Sequence, residues 1–140
     1  MIRKLCWYIA LLLSKIFNNE DCKILYFRKF GMKIGDRCKI YSNILPAEPF
    51  LVEIGDDVTI SSEVAFCTHD NSIIKVDRCC PNLFGKISIG SNSFLGMRST
   101  IMLGVTIPNN VIVAAGSVVT TSFQEENIII GGNPAKIIGK

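Results

Sequence analysis

Residues 89–120 read IGSNSFLGMRSTIMLGVTIPNNVIVAAGSVVT, and this stretch decides the fold. Every sixth position in it is a branched aliphatic residue, and these positions are called the ladder here: Ile89, Leu95, Ile101, Ile107, Val113 and Val119. A strand repeats every two residues and a helix about every 3.6, so a period of six fits neither a long helix nor a meander. The period predicts a short strand and a turn that are stacked many times, which is a solenoid.

The ladder continues towards the N-terminus at Ile54, Ile60 and Phe66, with a first fragment at Ile34 and Ile40. A small or turn-permissive residue follows many ladder positions, and we expect this follower to make a tight corner. The residue four positions after each ladder residue is small or β-branched, which predicts a second inward position. Stacked coils would bury both sets as one core. The followers are Gly35, Gly55, Ser61, Gly90, Gly96, Pro108 and Ala114, and the second set is Val58, Val64, Ser93, Ser99, Val105, Val111 and Ser117.

Two insertions interrupt the ladder. Residues 44–51, with Pro46 and Pro49, shift the spacing between Ile40 and Ile54. Residues 70–86 lengthen the spacing between the ladder residues Phe66 and Ile89. A solenoid tolerates insertions only at its corners, so both should project from an edge, where such proteins commonly build binding sites. The longer insertion, a protruding loop, begins beside His69, which is the only histidine of the chain.

Three further runs resemble the hexapeptide-repeat acyltransferases, in their maltose/galactoside acetyltransferase-like or polysaccharide O-acetyltransferase branch. They are GVTI at residues 104–107, AAGSVVT at 114–120 and GNPAK at 132–136, and the similarity covers roughly residues 31–140. The resemblance implies an all-β solenoid, a left-handed parallel β-helix with short N-terminal helices. Its handedness comes from the resemblance alone, since crossover rules favour the right-handed turn. The expected domains are a helical cap at 1–30 and a β-helix at 31–140 that ends in a coenzyme-binding segment.

The triplet Thr68-His69-Asp70 matches the position where several branches of that family carry their catalytic base. The resemblance therefore implies an acetyl-CoA-dependent O-acetyltransferase in which His69 accepts a proton from a hydroxyl during direct transfer. Histidine suits this task near neutral pH. The implied acceptor is a saccharide or related molecule, in capsule or surface-polysaccharide assembly, and N-acetylation stays open. Cys67 is an alternative acyl carrier, although a cysteine near a ladder position is ordinary packing.

The resemblance also implies residues that bind coenzyme A. It points to Gly96 for a backbone N–H that faces the reaction oxyanion and to Ala114 for an N–H contact with the pantetheine arm. Small outer residues, Thr120 among them, would leave a groove for that arm, and Lys136 would meet a phosphate. Phe94 stands where many relatives carry a tryptophan beside the active site.

Other positions are assigned less directly. Asn43, Asp70 and Asn71 are candidates for contacting the acceptor or for orienting His69. Lys140 is a second candidate for a phosphate contact, whereas Thr121 stands where many relatives carry a basic residue. The resemblance further implies a homotrimer whose active sites are shared between neighbouring chains.

Two other function classes compete with this one. A γ-type carbonic anhydrase binds zinc through three histidines, which one histidine per chain cannot supply. The adjacent Cys79 and Cys80 are also poorly spaced for a tetrahedral metal site, so no metal is expected. A non-catalytic β-solenoid that acts as a scaffold or binding module remains the alternative.

The first 40 residues are basic, with nine basic and three acidic side chains, against six and nine in the rest of the chain. An apolar stretch at residues 5–13 is too short to span a bilayer, which takes about 20 residues. We expect two short helices that cover the open first coil. The first also suits peripheral contact with an anionic membrane, through Arg3, Lys4, Trp7 and Tyr8. The second helix would be capped by Asn18 or Asn19. Glu20 and Asp21 suit its first turn, Arg28 and Lys29 suit its last turn, and Gly31 stands where it would stop.

The six cysteines show no CxxC spacing, which favours reduced thiols in a cytoplasmic protein. Peripheral contact would place it at the inner face of the membrane. No nucleic acid is expected as a partner.

Overall fold

The computed structural model describes residues 20–43 and 46–140. It contains one α-helix within that part of the chain, α1 (Glu20–Lys29), and two short 3-10 helices, Pro49–Leu51 and Ser72–Lys75. The rest is built on short strands: β1 (Lys33–Ile34), β2 (Lys39–Ile40), β3 (Val52–Ile54), β4 (Thr59–Ile60), β5 (Ala65–Phe66), β6 (His69–Asp70), β7 (Leu83–Phe84), β8 (Ile87–Ile89), β9 (Phe94–Leu95), β10 (Thr100–Ile101), β11 (Thr106–Ile107), β12 (Val111–Val113), β13 (Val118–Val119), β14 (Ile128–Gly132) and β15 (Ala135–Gly139).

The strands form three sheets that the chain visits in turn. Sheet 1 has the order β1-β3-β8-β11, sheet 2 the order β2-β4-β9-β12-β14-β15, and sheet 3 the order β5-β10-β13. All pairs in these sheets are parallel except β14 with β15, which is an antiparallel hairpin. Parallel neighbours that come from successive turns of the chain define a β-helix-type fold, as the six-residue period predicts.

The core is the interior of this β-helix. Every ladder residue from Ile34 to Val119 is buried, and each pairs with a ladder residue of an adjacent coil, as Ile101 does with Phe66 and Val119. The second set, from Val58 to Ser117, is also buried throughout. Both predicted inward positions are therefore confirmed.

The corners are built differently from the sequence prediction. The glycine after a ladder residue does not make the left-handed turn; that conformation falls two positions later, at Asp57, Asn92 and Arg98, with φ of 57°, 55° and 59°. The glycine is needed for close approach instead. A Cβ on Gly96 would lie 2.5 Å from the backbone nitrogen of Ala115 in the next coil. The small residue directly after each ladder residue lets the coils stack closely, and the residue three positions after the ladder residue turns the chain.

Two stacked serines give a test of interior packing. The Ser99 hydroxyl is buried without a hydrogen-bond partner among residues 20–43 and 46–140, whereas the Ser117 hydroxyl accepts a bond from the Gly132 N–H at 3.2 Å. We expect Ser99→Ala to raise the free energy of unfolding by about 1 kcal/mol and Ser117→Ala to lower it by a similar amount. Urea denaturation of both variants measures this, and equal destabilisation by the two would contradict it.

The insertions lie at corners, as predicted. Ile89 pairs with Ile107, which sets an uninterrupted coil at 18 residues. Ile34 pairs with Ile54 and Ile54 with Ile89, so the first insertion adds two residues and the second adds 17. The longer insertion leaves the β-helix after β5 of sheet 3, and its two ends form a separate antiparallel pair, β6 and β7.

Helix α1 packs on the first coil through the buried side chains of Ile24 and Phe27. The Arg28 guanidinium donates to the carbonyl oxygens of Ile34 and Gly35 at 2.8 and 2.7 Å, which ties the last turn of the helix to β1. The helix ends at Lys29, and Gly31 then has a φ of 99°, as the sequence indicated. The predicted first helix, its membrane-facing residues and the caps Asn18 and Asn19 lie outside the described residues. No helix within the described ranges is long and apolar enough to cross a membrane.

Candidate active site

His69 stands where the long loop leaves the β-helix. It is three residues beyond the ladder residue Phe66, in strand β6, and pairs in register with Phe84 of β7. The two rings pack with their centroids 5.9 Å apart, and 38% of the His69 side chain is exposed. The imidazole is thus held on one side by an aromatic ring and is open to a ligand on the other.

A carboxylate from the first insertion holds the imidazole. Glu48 Oε2 lies 2.9 Å from His69 Nδ1, and the same oxygen accepts a 2.6 Å bond from the Thr68 hydroxyl. The backbone N–H of Glu48 donates back to Thr68 Oγ1 at 3.3 Å. Because a carboxylate only accepts hydrogen bonds, this contact assigns the proton to Nδ1 and leaves Nε2 as the basic nitrogen.

The local hydrogen bonds keep the nearby carboxylates ionised. The bond from the Thr68 hydroxyl, aided by His69, lowers the pKa of Glu48 below its ordinary value. Hydrogen bonds from Ser72 lower the pKa of Asp70 in the same way, and its Oδ1 accepts the Ser72 backbone N–H at 2.7 Å. Asp70 is therefore turned into the loop, while Glu48 is turned towards the imidazole.

Cys67 is partly exposed, and its thiol contacts the backbone. Its Sγ lies 3.3 Å from the carbonyl oxygen of His69. This contact fits the packing interpretation of Cys67.

Three of the coenzyme-binding candidates line up along one edge of the β-helix. This edge, called edge 2–3 here, consists of the turns from sheet 2 to sheet 3. Gly96 and Ala114 occupy successive turns, and Gly131 follows, since a Cβ on it would lie 3.0 Å from the Ala114 Cβ. Lys136 is exposed and pairs in register with Gly131. The structure therefore brings Gly96, Ala114 and Lys136 to one surface, and Phe94 is exposed on the strand that leads into it.

The N–H groups expected to contact the coenzyme are already used. The Gly96 N–H donates to the Val113 carbonyl oxygen, and the Ala114 N–H donates to that of Ile130, each at 2.8 Å. Neither donor is available to a ligand while the coils stay paired. Any contact of Gly96 or Ala114 with a ligand therefore uses their small size.

The remaining candidates lie elsewhere. Thr120 follows Val119 as Cys67 follows Phe66, so it lies on the turns from sheet 3 to sheet 1, called edge 3–1, with His69. Thr120, Asn43 and Asn71 are exposed, and Asn71 makes no side-chain cap to the 3-10 helix that follows it. Lys140 is occupied in an ion pair with Glu125 at 2.7 Å. His69 and the Gly96 surface are thus on different edges of one chain.

Sequence reasoning missed Glu48. The signal was the coil length: an 18-residue coil with a two-residue insertion stacks Glu48 on Thr68, 20 positions later, as it stacks Ile34 on Ile54. No cluster of three metal-ligating side chains occurs in the part of the chain that the structure describes.

Comparisons with known proteins agree with this architecture. Residues 86–121 match the family described as "Hexapeptide repeat of succinyl-transferase". The chain is 47% identical to Protein CapG of Staphylococcus aureus over 79% of this chain and 67% of CapG. It is 30% identical to the galactoside O-acetyltransferase of Escherichia coli over 81% of this chain and 57% of that protein.

A solved structure is similar as well. The hexapeptide-repeat acetyltransferase of Vibrio cholerae in complex with acetyl coenzyme A aligns with a TM-score of 0.70 at 30% identity, over 77% of this chain and 59% of that one. The chain thus spans between 57% and 67% of the length of these three proteins.

Proposed function

The chain belongs to the hexapeptide-repeat acetyltransferase family, and we propose that it transfers an acetyl group from acetyl-CoA to a hydroxyl of a saccharide or related acceptor. The observation that carries this proposal is the His69 imidazole, whose Nδ1 is held by Glu48 while the exposed ring leaves Nε2 for an acceptor. Support for the substrates comes from the galactoside O-acetyltransferase relative and the acetyl coenzyme A complex.

The proposed reaction needs one base and no redox step. Nε2 of His69 takes the proton of the acceptor hydroxyl while its oxygen attacks the thioester carbonyl carbon. The tetrahedral intermediate then collapses, the carbon–sulfur bond breaks, and the imidazolium returns the proton to the coenzyme thiolate. The Glu48 carboxylate is ionised and 2.9 Å from Nδ1, so it stabilises the imidazolium that forms between these steps.

We propose that coenzyme A lies along edge 2–3. Gly96 and Ala114 leave room for the pantetheine arm, Phe94 supplies an apolar wall, and the Lys136 ammonium meets a phosphate. The Lys136 side chain makes no ion pair within residues 20–43 and 46–140, which leaves its charge available. Thr120 lies on edge 3–1 with His69, so it would meet the coenzyme from the side of the base and not from edge 2–3.

The working form proposed here is a homotrimer with a left-handed β-helix in each subunit. His69 on edge 3–1 and the coenzyme surface on edge 2–3 are separated by sheet 3 in one chain, so a complete site needs a neighbour's edge. Exposed apolar side chains flank both edges and suit burial between subunits. They are Leu83 and Phe84 on the loop side and Phe94, Met97 and Ile112 on the coenzyme side.

The proposed setting is surface-polysaccharide assembly in the cytoplasm, at the inner face of the membrane. The described cysteines are free, which is consistent with a reducing compartment. The basic first 40 residues support contact with anionic lipid.

Vesicle sedimentation tests the membrane contact. The full chain should pellet with anionic vesicles at low salt and be released when the salt is raised, because screening weakens attraction between basic side chains and lipid headgroups. Neutral vesicles are the control. Failure to pellet with anionic vesicles at low salt would leave residues 1–30 with a role as a cap on the first coil only.

The activity itself is tested by a screen. Acetyl-CoA is incubated with simple saccharides, oligosaccharides and nucleotide sugars, and free thiol release is measured for each. Acceptor-dependent release that disappears in a His69→Ala variant supports the transferase, and acetylated product identified by mass spectrometry distinguishes O- from N-transfer. The absence of release with every acceptor class would favour the scaffold or binding module.

A further inference from the structure

We propose that Glu48, anchored by Thr68, is the positioning residue that holds His69 with Nε2 directed at the acceptor. The inference rests on the proposed function for its kinetic consequence, but its structural part stands on the contacts alone. It assigns a role to the two-residue insertion of the first coil, which the sequence shows as two prolines and a shifted ladder spacing.

The contacts form a closed arrangement. Glu48 Oε2 accepts from both Thr68 Oγ1 and His69 Nδ1, at 2.6 and 2.9 Å, and the Glu48 N–H donates to the Thr68 hydroxyl. Thr68 is almost wholly buried, so its hydroxyl is fixed by its surroundings. The carboxylate cannot rotate away from the imidazole without depriving the buried Thr68 hydroxyl of its acceptor.

Other groups around the imidazole are occupied. Asp70, one of the three candidates for contacting the acceptor or for orienting His69, accepts the Ser72 backbone N–H through Oδ1. The Cys67 thiol contacts the His69 carbonyl oxygen, and the apolar Phe84 ring packs beside the imidazole without offering an acceptor. Glu48 is therefore the described acceptor that meets an imidazole nitrogen.

The 15N spectrum of the imidazole tests the positioning directly. His69 is the only histidine, so protein labelled with 15N-histidine gives one pair of ring signals. We expect the wild-type protein above neutral pH to show a protonated Nδ1 and an unprotonated Nε2. In Glu48→Met, which keeps length but removes the acceptor, the ring should convert largely to the Nε2–H form or to a mixture. An unchanged Nδ1–H signal in Glu48→Met would overturn the proposal.

Steady-state kinetics supply the second measurement. Glu48→Met should lower kcat by roughly 10- to 100-fold, part of the 100- to 10,000-fold that a base contributes, with little change in the KM for acetyl-CoA. Glu48→Gln keeps an acceptor oxygen and should recover the Nδ1–H form and part of kcat. Thr68→Val, which frees the carboxylate from its anchor, should fall between wild type and Glu48→Met.

The matched control is Asp57→Asn. Asp57 also pairs with a charged side chain, Arg37, at 2.6 Å, but on the turns from sheet 1 to sheet 2, away from both proposed halves of the site. It should leave the 15N signals and kcat unchanged. A loss of kcat in Glu48→Met that is matched by Asp57→Asn would assign the effect to general destabilisation and contradict positioning. If no acceptor gives thiol release while Glu48→Met still alters the ring signals, the proposed function fails and the positioning stands.

Discussion

Replacing His69 with alanine should lower acetyl transfer by roughly 100- to 10,000-fold, the size of a lost general base. His69 is the only histidine of the chain, so no second imidazole can replace it as the base. The measurement is acceptor-dependent release of coenzyme thiol under saturating acetyl-CoA. The loss should fall on kcat, because the imidazole is proposed to act on the acceptor proton and not to bind the coenzyme.

The fold should survive this change. His69 lies outside the ladder and its side chain is 38% exposed, so its removal leaves no cavity in the core. The control is denaturation of the variant, which should unfold at the same midpoint as the wild type. Turnover that stays near the wild-type value in a folded His69→Ala protein would overturn the assignment of His69 as the base.

The interior of the fold could be predicted from the sequence because one physical rule governs it. Each ladder residue fills the same space in successive coils, so the pattern that buries Ile89 also buries Leu95 and Ile101. The corners could not be predicted as well. Some residues in left-handed conformation, such as Asp57 and Asn92, are of types that tolerate it, but others, such as Arg98, are not, so residue type marks only part of the corners.

Only one of the two central residues of the site could be predicted from the sequence, for a similar reason. His69 stands out as a single histidine at the mouth of an insertion, a local feature of the chain. Glu48 is 21 positions away in sequence and meets it only because one coil is 20 residues long at that point. The contact of Glu48 with His69 depends on the register between coils. The ladder sets that register, but the two-residue insertion makes it hard to deduce at this point of the sequence.

The hydrogen-bonding state of Gly96 and Ala114 was also beyond the sequence. A glycine or alanine at a corner has an N–H that is free or paired according to the neighbouring coil, and here both are paired. Small size, which the sequence does show, is the property left to these residues for forming a groove along edge 2–3.

Mixing two inactive variants should restore activity if sites are shared between chains. One variant is His69→Ala, with an intact coenzyme edge, and the other is Ala114→Arg, with an intact His69 and a blocked groove. In randomly mixed trimers, a site that draws His69 from one chain and edge 2–3 from its neighbour is intact in about one quarter of cases. Activity should therefore rise from near zero to about a quarter of wild type after joint unfolding and refolding, measured by thiol release.

The activity of the mixture distinguishes a site shared between chains from a site within one chain. If His69 and edge 2–3 worked in the same subunit, every subunit of a mixed trimer would carry one defect and no activity would return. Because Ala114 lies against the β14–β15 hairpin, Lys136→Glu at an exposed position is the second test variant, and it should complement His69→Ala in the same way. Light scattering that finds a fully active monomer at assay concentration would refute the shared site while leaving the acetyltransferase proposal standing, since the two edges would then have to be joined by some other route within one chain.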